Sequence, residues 1–352
     1  MKKHAFLLLL VGLFFTKLSF GQNLTVKDSI NTFYDSLFYH LENRFLYKDQ
    51  VNWAQVKPFI KQKALQSNSF SASLKVTSQL FDTIGGTHLG LFSKFGYYRN
   101  TLGKRLTRKD FHTEFLREYE QKPPPAYKVK VLNNQYGYVM IPAILWLDIS
   151  KDSLIRNTQA MYDAFMKVQQ SHQIKGWIID LRFNEGGNVY PMLAALYHLL
   201  GDAIVYKVLD INKKPLQKEI HSLKKGAFYS GTKMETLVKV REKPNTKLPV
   251  ALLTGIMTGS AGELIAVGFR GRKNVITIGE TSYGLLTCND MVKLPFGAKF
   301  TLTYGYLADR NNGYTKKIKP AIEVVRQANF KDLTKDKNVI EAIKFIDAKQ
   351  EK

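Results

Sequence analysis

Ser260 is the best candidate for a nucleophile in this sequence. It stands in a Gly-Ser-Ala-Gly-Glu stretch at residues 259–263, whose small side chains leave a hydroxyl accessible. An apolar run at 249–254 predicts a buried strand just before it, and a helical pattern begins at Ala261. A serine at the start of a helix is also a common N-cap, which accepts a backbone N–H. The local sequence therefore leaves two roles open for Ser260, a nucleophile and a helix cap.

A serine hydroxyl is a weak nucleophile until a neighbouring base takes its proton, and His88 is the best candidate for that base. It ends a Gly-Gly-Thr-His turn at residues 85–88, which follows a predicted helix. Loops often carry functional residues, although a structural role for a lone loop histidine stays open. Five other histidines lie in helical or charged patterns that predict no chemistry: His40, His112, His172, His198 and His221.

A second glycine-rich junction contains Gly186 and Gly187, after a predicted buried strand at 176–181. Ligands collect where the strands of an open α/β sheet end, and glycine lets a backbone approach them closely. The sequence has no phosphate-binding loop, and this junction lacks the third glycine of a dinucleotide site. The histidines are scattered and Cys288 is the single cysteine, so we predict no metal site, no cofactor and no intramolecular disulfide.

The elements that must position these residues follow from hydrophobic periodicity. Residues 22–84 carry apolar side chains at three- and four-residue steps and predict a small helical unit. Residues 85–125 form a connecting segment that ends in three prolines, which donate no backbone hydrogen bonds. Strand-like runs then alternate with helical patterns over 126–330 and predict an α/β core, which a helix at 331–352 closes.

The first 21 residues match a secretory signal peptide. Two lysines precede an uncharged apolar run at 5–15, and the small residues Ser19 and Gly21 precede the expected cleavage site. Lys17 ends the run before it is long enough to span a bilayer, although an uncleaved anchor stays open. We expect a secreted or periplasmic bacterial protein without a stable membrane span after signal removal.

The formal net charge of +23 raises the question of a nucleic-acid partner. Lysine and arginine are dispersed along the whole chain, in runs no longer than pairs such as Lys224-Lys225. Aromatic residues are not interleaved with them as in a base-stacking platform. We therefore predict a solvated basic surface and no nucleic-acid partner.

Three segments, in their order along the chain, resemble the carboxy-terminal processing (tail-specific) serine peptidases, and among them the tricorn-core-like branch, and a fourth segment adds to the resemblance. Residues 178–187 resemble the family's Ile-Asp-Leu-Arg-x-Asn-x-Gly-Gly turn, and 259–263 resemble its nucleophile stretch. Residues 278–284 are similar to its Val-Gly-Glu-Pro-Thr-Phe-Gly segment, and 136–142 to the first strand of its core. The resemblance implies a crotonase/ClpP-like α/β core with helices, and peptides or proteins as substrates.

The resemblance also implies roles for individual residues. Ser260 would attack a peptide carbonyl, and His88 would take its proton and pass it to the leaving amine. Thr87 would help to orient His88, because the tricorn-like members carry a hydroxyl residue before the histidine. Backbone N–H groups of Ala261 and of Gly186 or Gly187 would hold the oxyanion.

Three departures from the family pattern qualify these roles. Leu285 occupies the position of the base in the Ser/Lys members, so a Ser/Lys dyad is excluded. No acid occurs in the segment 314–321, near which the tricorn-like members place an orienting glutamate, so Glu263 and Glu280 are the candidates to replace it. The interval 91–131 is also too short for a PDZ module. A catalytically inactive relative that binds peptides or other ligands is therefore the alternative to a serine peptidase.

Overall fold

The computed structural model describes residues 24–103 and 105–350, and the predicted signal peptide at 1–21 lies outside them. The helices are α1 (Val26–Arg44), α2 (Trp53–Leu65), α3 (Phe70–Ser73), α4 (Val76–Thr83), α5 (Thr113–Tyr119), α6 (Lys151–Ser171), α7 (Val189–Ala195), α8 (Tyr197–Leu200), α9 (Ala261–Phe269) and α10 (Lys337–Asp347). The strands are β1 (Gly90–Ser93), β2 (Gly96–Arg99), β3 (Lys128–Leu132), β4 (Tyr136–Met140), β5 (Gly176–Asp180), β6 (Ala203–Leu209), β7 (Pro215–Lys224), β8 (Ala227–Ser230), β9 (Lys233–Leu237), β10 (Val250–Thr254), β11 (Val275–Gly279), β12 (Thr287–Lys293), β13 (Lys299–Ala308) and β14 (Ile322–Glu323).

The N-terminal helices α1 to α4 form the helical unit that the sequence predicts. Helix α1 begins at Thr25, whose hydroxyl accepts the Asp28 N–H while the Asp28 carboxylate accepts the Thr25 N–H. Its buried side chains recur at helical spacing and pack with Phe300 and Leu302 of β13. The same cluster includes Leu91 of β1 and Val292 of β12, so the unit packs on several strands of the second sheet.

The α/β core is a six-stranded sheet in the order β14-β11-β10-β5-β4-β3. All of its neighbouring strands are parallel except β3, which runs antiparallel to β4. Every residue of β4, β5 and β10 is buried, as expected where helices cover both faces of a parallel sheet. Trp177 and Ile179 pack on the side of α6, α7 and α9, and Ile178 packs on the side of α10. The predicted α/β fold class is confirmed.

A second, antiparallel sheet has the order β2-β1-β13-β6-β7-β8-β9, with β12 also paired to β13. The sequence does not predict most of these strands, because they are short or only partly buried and lack regular alternation; β7, for example, is buried at only two of its ten positions. This sheet connects the helical unit to the core. It also carries the loop that precedes β1, where His88 lies.

The described helices include none that is both long and apolar enough to cross a bilayer. The predicted connecting segment contains neither a helix nor a strand at residues 120–127, around its three prolines.

Candidate active site

Ser260 lies in the turn between β10 and α9, at the carboxyl end of a central parallel strand. Its backbone has φ 50° and ψ −112°, a conformation that L-residues rarely adopt and that costs about 1–3 kcal/mol. The Gly259 N–H donates to the Asn184 carbonyl at 2.9 Å, so the turn is tied to the loop after β5. Ser260 is the N-terminal cap residue of α9, and the strain at this position points to a function beyond capping.

Glu263 fixes this turn from inside the protein. Its buried carboxylate accepts the backbone N–H groups of Ser260 at 3.0 Å, Gly284 at 2.9 Å and Leu285 at 2.7 Å, and the Ser282 hydroxyl as well. Burial raises the pKa of Glu263, and these donors act in the opposite direction by stabilising the charged form. Glu263 therefore holds the nucleophile turn against the segment 282–285 rather than contacting a histidine.

The glycine turn after β5 lies directly against Ser260. A β-carbon at Gly186 would lie 3.2 Å from Ser260 Cβ and 3.5 Å from its Oγ, and Gly186 has φ +140°. A β-carbon at Gly187 would lie 2.0 Å from the Ile144 carbonyl oxygen. The Gly186 N–H donates to Asn184 Oδ1 at 3.1 Å. Two N–H groups in this turn are predicted oxyanion donors, and that of Gly186 already makes a hydrogen bond within its own loop. This favours the Gly187 N–H as the donor that would act together with the Ala261 N–H.

His88 lies between α4 and β1, with its ring against the second sheet. Its Nδ1 is 2.8 Å from the Thr287 hydroxyl and 2.9 Å from Asn289 Nδ2. The Asn289 carbonyl oxygen accepts the Thr303 hydroxyl at 2.7 Å. Burial lowers the pKa of His88 to about 4, so the ring is neutral at physiological pH.

The structure places the predicted orienting residues elsewhere than at this ring. Thr87 is exposed, and the hydroxyl at His88 Nδ1 belongs to Thr287. The carboxylate of Glu263 is used by the Ser260 turn, and Glu280 lines a separate pocket with Arg182. Sequence reasoning missed Thr287 and its neighbour Asn289, because uncharged residues in an unpredicted strand give no chemical signal.

One cleft is lined both by the loop that carries His88 and by the turn that carries Ser260. Its empty volume is about 1210 Å³, including its open mouth. Its lining brings His88 together with Gly259, the residue before Ser260. The lining residues are Thr87, His88, Leu89, Tyr97, Arg99, Asn100, Gly103, Arg105, Leu106, Glu185, Met257, Gly259, Tyr283, Leu285 and Thr301.

Cys288 is not a competing nucleophile. Its thiol donates to the Tyr304 hydroxyl at 3.1 Å, and burial raises the pKa of the thiol to about 12. In the part of the chain that the structure describes, no group of three or more His, Cys, Asp or Glu side chains could bind a metal ion. The nucleophile candidate of this cleft is therefore Ser260.

The model of peptidase family S41 matches residues 135–324, which include the whole parallel sheet except β3. A nisin-resistance protein of Lactococcus lactis is 34% identical over 143 residues, which is 40% of this chain and 43% of that protein. The carboxy-terminal processing protease CtpA of Bacillus subtilis is 31% identical over 151 residues, 42% of this chain and 28% of that protein. The matched region thus spans less than half the length of either curated relative.

Among solved structures, a lipoprotein from Streptococcus agalactiae superposes with a TM-score of 0.65. The superposition covers 92% of this chain and 97% of that one at 21% sequence identity. At this identity the similarity concerns the fold, and it extends over the helical unit as well as both sheets.

Proposed function

This chain belongs to peptidase family S41, and we propose that it hydrolyses peptide bonds with Ser260 as nucleophile and His88 as general base. One observation carries the proposal. Ser260 is held in a strained backbone conformation, with its Oγ 3.5 Å from the position of a Gly186 β-carbon, and it directly follows Gly259, which lines the same cleft as His88. Strain of this kind persists where the surrounding structure enforces it, and it clusters at catalytic residues.

The chemistry follows the general scheme of serine acyl transfer. His88 takes the Ser260 hydroxyl proton while Oγ bonds to the substrate carbonyl carbon, and the carbonyl oxygen becomes an oxyanion. The N–H groups of Ala261 and Gly187 stabilise that charge, and each such donor contributes about 2.7–4 kcal/mol in known hydrolases. His88 then gives its proton to the leaving amine as the C–N bond breaks. Water, activated by the same ring, hydrolyses the acyl-enzyme and restores the serine.

The cleft suggests which peptides fit. Leu106, Met257 and Leu285 offer an apolar surface near the nucleophile, and Arg99 and Arg105 add positive charge at the rim. We propose substrates with apolar side chains beside the cleaved bond, and nisin is one peptide to test because a relative is named for resistance to it. The predicted signal peptide and the lipoprotein relative support action outside the cytoplasm.

Hydrolysis by the Ser260→Ala variant tests the proposal. We expect loss of at least about 10³-fold in kcat with an unchanged melting temperature, because the covalent step is removed and only oxyanion stabilisation and binding remain. Ser171→Ala, at the end of α6, is the matched control and should retain full activity. Full activity in Ser260→Ala would refute the proposed nucleophile.

The second candidate function is a non-catalytic peptide-binding relative. It is favoured by the uncharged partners of His88, since an imidazolium formed during catalysis gains no carboxylate there. Peptide binding by wild-type protein without any turnover, unaffected by Ser260→Ala, would support this alternative.

A further inference from the structure

We propose that Thr287 and Asn289 are the positioning residues of His88 and replace the carboxylate of a serine triad with a neutral hydrogen-bond network. This inference rests on the proposed function and specifies how its base is held. The observation behind it is that both side chains reach the same ring nitrogen, at 2.8 and 2.9 Å.

A β-bulge opposite β12 accompanies this double contact. Residues two apart on a strand point to the same face but are normally about 6.6 Å apart along it. The pairing of β12 with β13 shifts register between Cys288 and Asn289, where Tyr304 of β13 is left without a partner. A bulge increases the local twist of a strand pair and redirects side chains, and the two positioning residues lie on either side of this one.

A further support for the ring comes from β13. The Thr303 hydroxyl donates to Asn289 Oδ1 at 2.7 Å, and the Thr301 hydroxyl donates to the His88 backbone carbonyl at 3.2 Å. The base is thus held through its ring and its backbone by adjacent strands of one sheet. Such support restricts the ring to one orientation, which is what an orienting residue must achieve.

The network can serve both tautomers of the neutral ring. Hydroxyls donate and accept, and a half-turn of the Asn289 amide exchanges its oxygen and nitrogen. With the oxygen toward the ring, Nδ1–H donates to Asn289 and Thr287, and the amide nitrogen donates to the Thr303 hydroxyl. That arrangement leaves Nε2 with a free lone pair, the state that a general base for Ser260 requires.

The charges around the ring are sparse. The charged side chains that line the cleft with it are Arg99, Arg105 and Glu185, and burial alone accounts for the lowered pKa of His88. On the side of the second sheet, Glu219 and Asp290 act on the thiol of Cys288. Among the described residues the printed partners of the ring nitrogen are uncharged, so a carboxylate at position 289 would add a negative charge in hydrogen-bond contact with the ring.

Asn289→Asp therefore provides a direct test. An opposite charge at hydrogen-bond distance favours the imidazolium, so we expect the pKa of His88 to rise by about 1 to 3 units. The measurement is the ¹⁵N titration of the ring in the Ser260→Ala background, with His88→Gln to assign its signals. Asn100→Asp, which adds the same charge elsewhere in the cleft, is the matched control and should shift the pKa by less than half as much.

Activity measurements with two further substitutions separate positioning from folding. Asn289→Leu and Thr287→Val should lower kcat roughly 10- to 100-fold with little change in KM, because orientation of the base is lost while the binding surface is kept. Thr287→Ser keeps the hydroxyl and should restore most of kcat. The acid limb of kcat/KM in Asn289→Asp should move upward together with the ring pKa.

The outcomes distinguish this proposal from the function on which it rests. Ser260-dependent hydrolysis combined with an unshifted ring pKa in Asn289→Asp and unchanged kcat in Thr287→Val overturns the positioning role alone. Absence of any Ser260-dependent hydrolysis in the wild-type protein overturns the function and the positioning role together.

Discussion

The two halves of the site are built on different principles. The nucleophile half comes from the carboxyl ends of adjacent parallel strands and is fixed by one buried carboxylate, Glu263, which accepts four hydrogen bonds. The base half comes from the antiparallel sheet and is held by the neutral side chains of Thr287 and Asn289. The charge expected beside the histidine is therefore present in this site, but it holds the Ser260 turn instead.

Substituting one glycine in each half should give the largest effect that tests this difference. Gly187→Ala places a methyl group 2.0 Å from the Ile144 carbonyl at φ +110°, so the turn must move. A displacement of about 1 Å can reduce a rate about 100-fold, and we expect at least that loss in kcat. Gly85→Ala, in the turn before His88, has φ +68° but no atom within 4 Å of the new methyl group.

For Gly85→Ala we expect a cost of about 1–2 kcal/mol in unfolding free energy, because the residue must adopt a left-handed conformation, and kcat within about 2-fold of wild type. Both variants are compared by steady-state hydrolysis and chemical denaturation. Equal losses of kcat in the two would show that the nucleophile half is no more rigid than the base half.

The pH dependence of kcat/KM is the second test, with an effect of intermediate size. It reports on the titration of His88, the proposed base. The proposed mechanism needs neutral His88, and burial lowers its pKa to about 4. We therefore expect kcat/KM to stay level as the pH falls below the ordinary histidine pKa of about 6.5, and to reach half its value near pH 4. A half-point near 6.5 would contradict a buried ring without a charged partner.

The free energy of unfolding should also depend on pH through His88, and the direction of this dependence follows from its lowered pKa. Between about pH 4 and 6.5 the unfolded chain binds a proton at His88 that the folded chain does not, so this residue opposes folding as the pH falls through that window. Denaturation of wild-type protein and His88→Gln across this range isolates the contribution.

Thr87→Ala is expected to have the smallest effect. The family resemblance assigns an orienting role to this residue, but its side chain is exposed while Thr287 contacts the ring. We expect kcat to change less than about 2-fold, because exposed substitutions change free energies by about 0.5 kcal/mol or less. A loss as large as that of Thr287→Val would return the orienting role to Thr87.

The sequence predicts the strands on the Ser260 side of the site well for a physical reason. The strands β5 and β10 are short, wholly buried apolar runs, and each is followed closely by a glycine-rich turn. Local sequence therefore specifies both the strand and the turn after it. The predicted fold class and part of the family resemblance rest on these local signals.

The base half could not be predicted in the same way. Thr287 and Asn289 are 199 and 201 residues from His88 in sequence, on a strand with no clear alternation. Only the pairing of β12 with β13 brings them to the ring. The sequence offers Glu263 as a candidate orienting acid, but the backbone N–H groups that surround its carboxylate are set by tertiary structure.

Active-site labelling with a fluorophosphonate tests the central claim, that Ser260 is activated by His88, most directly. A fluorophosphonate reacts with a serine only when a base takes its proton. The labelled peptide is identified by mass spectrometry in wild-type protein and in His88→Gln, with folding of both confirmed by circular dichroism. We predict a single adduct on Ser260 that His88→Gln reduces at least about 100-fold. Folded wild-type protein without an adduct at Ser260, or labelling that is unchanged in His88→Gln, would contradict the account.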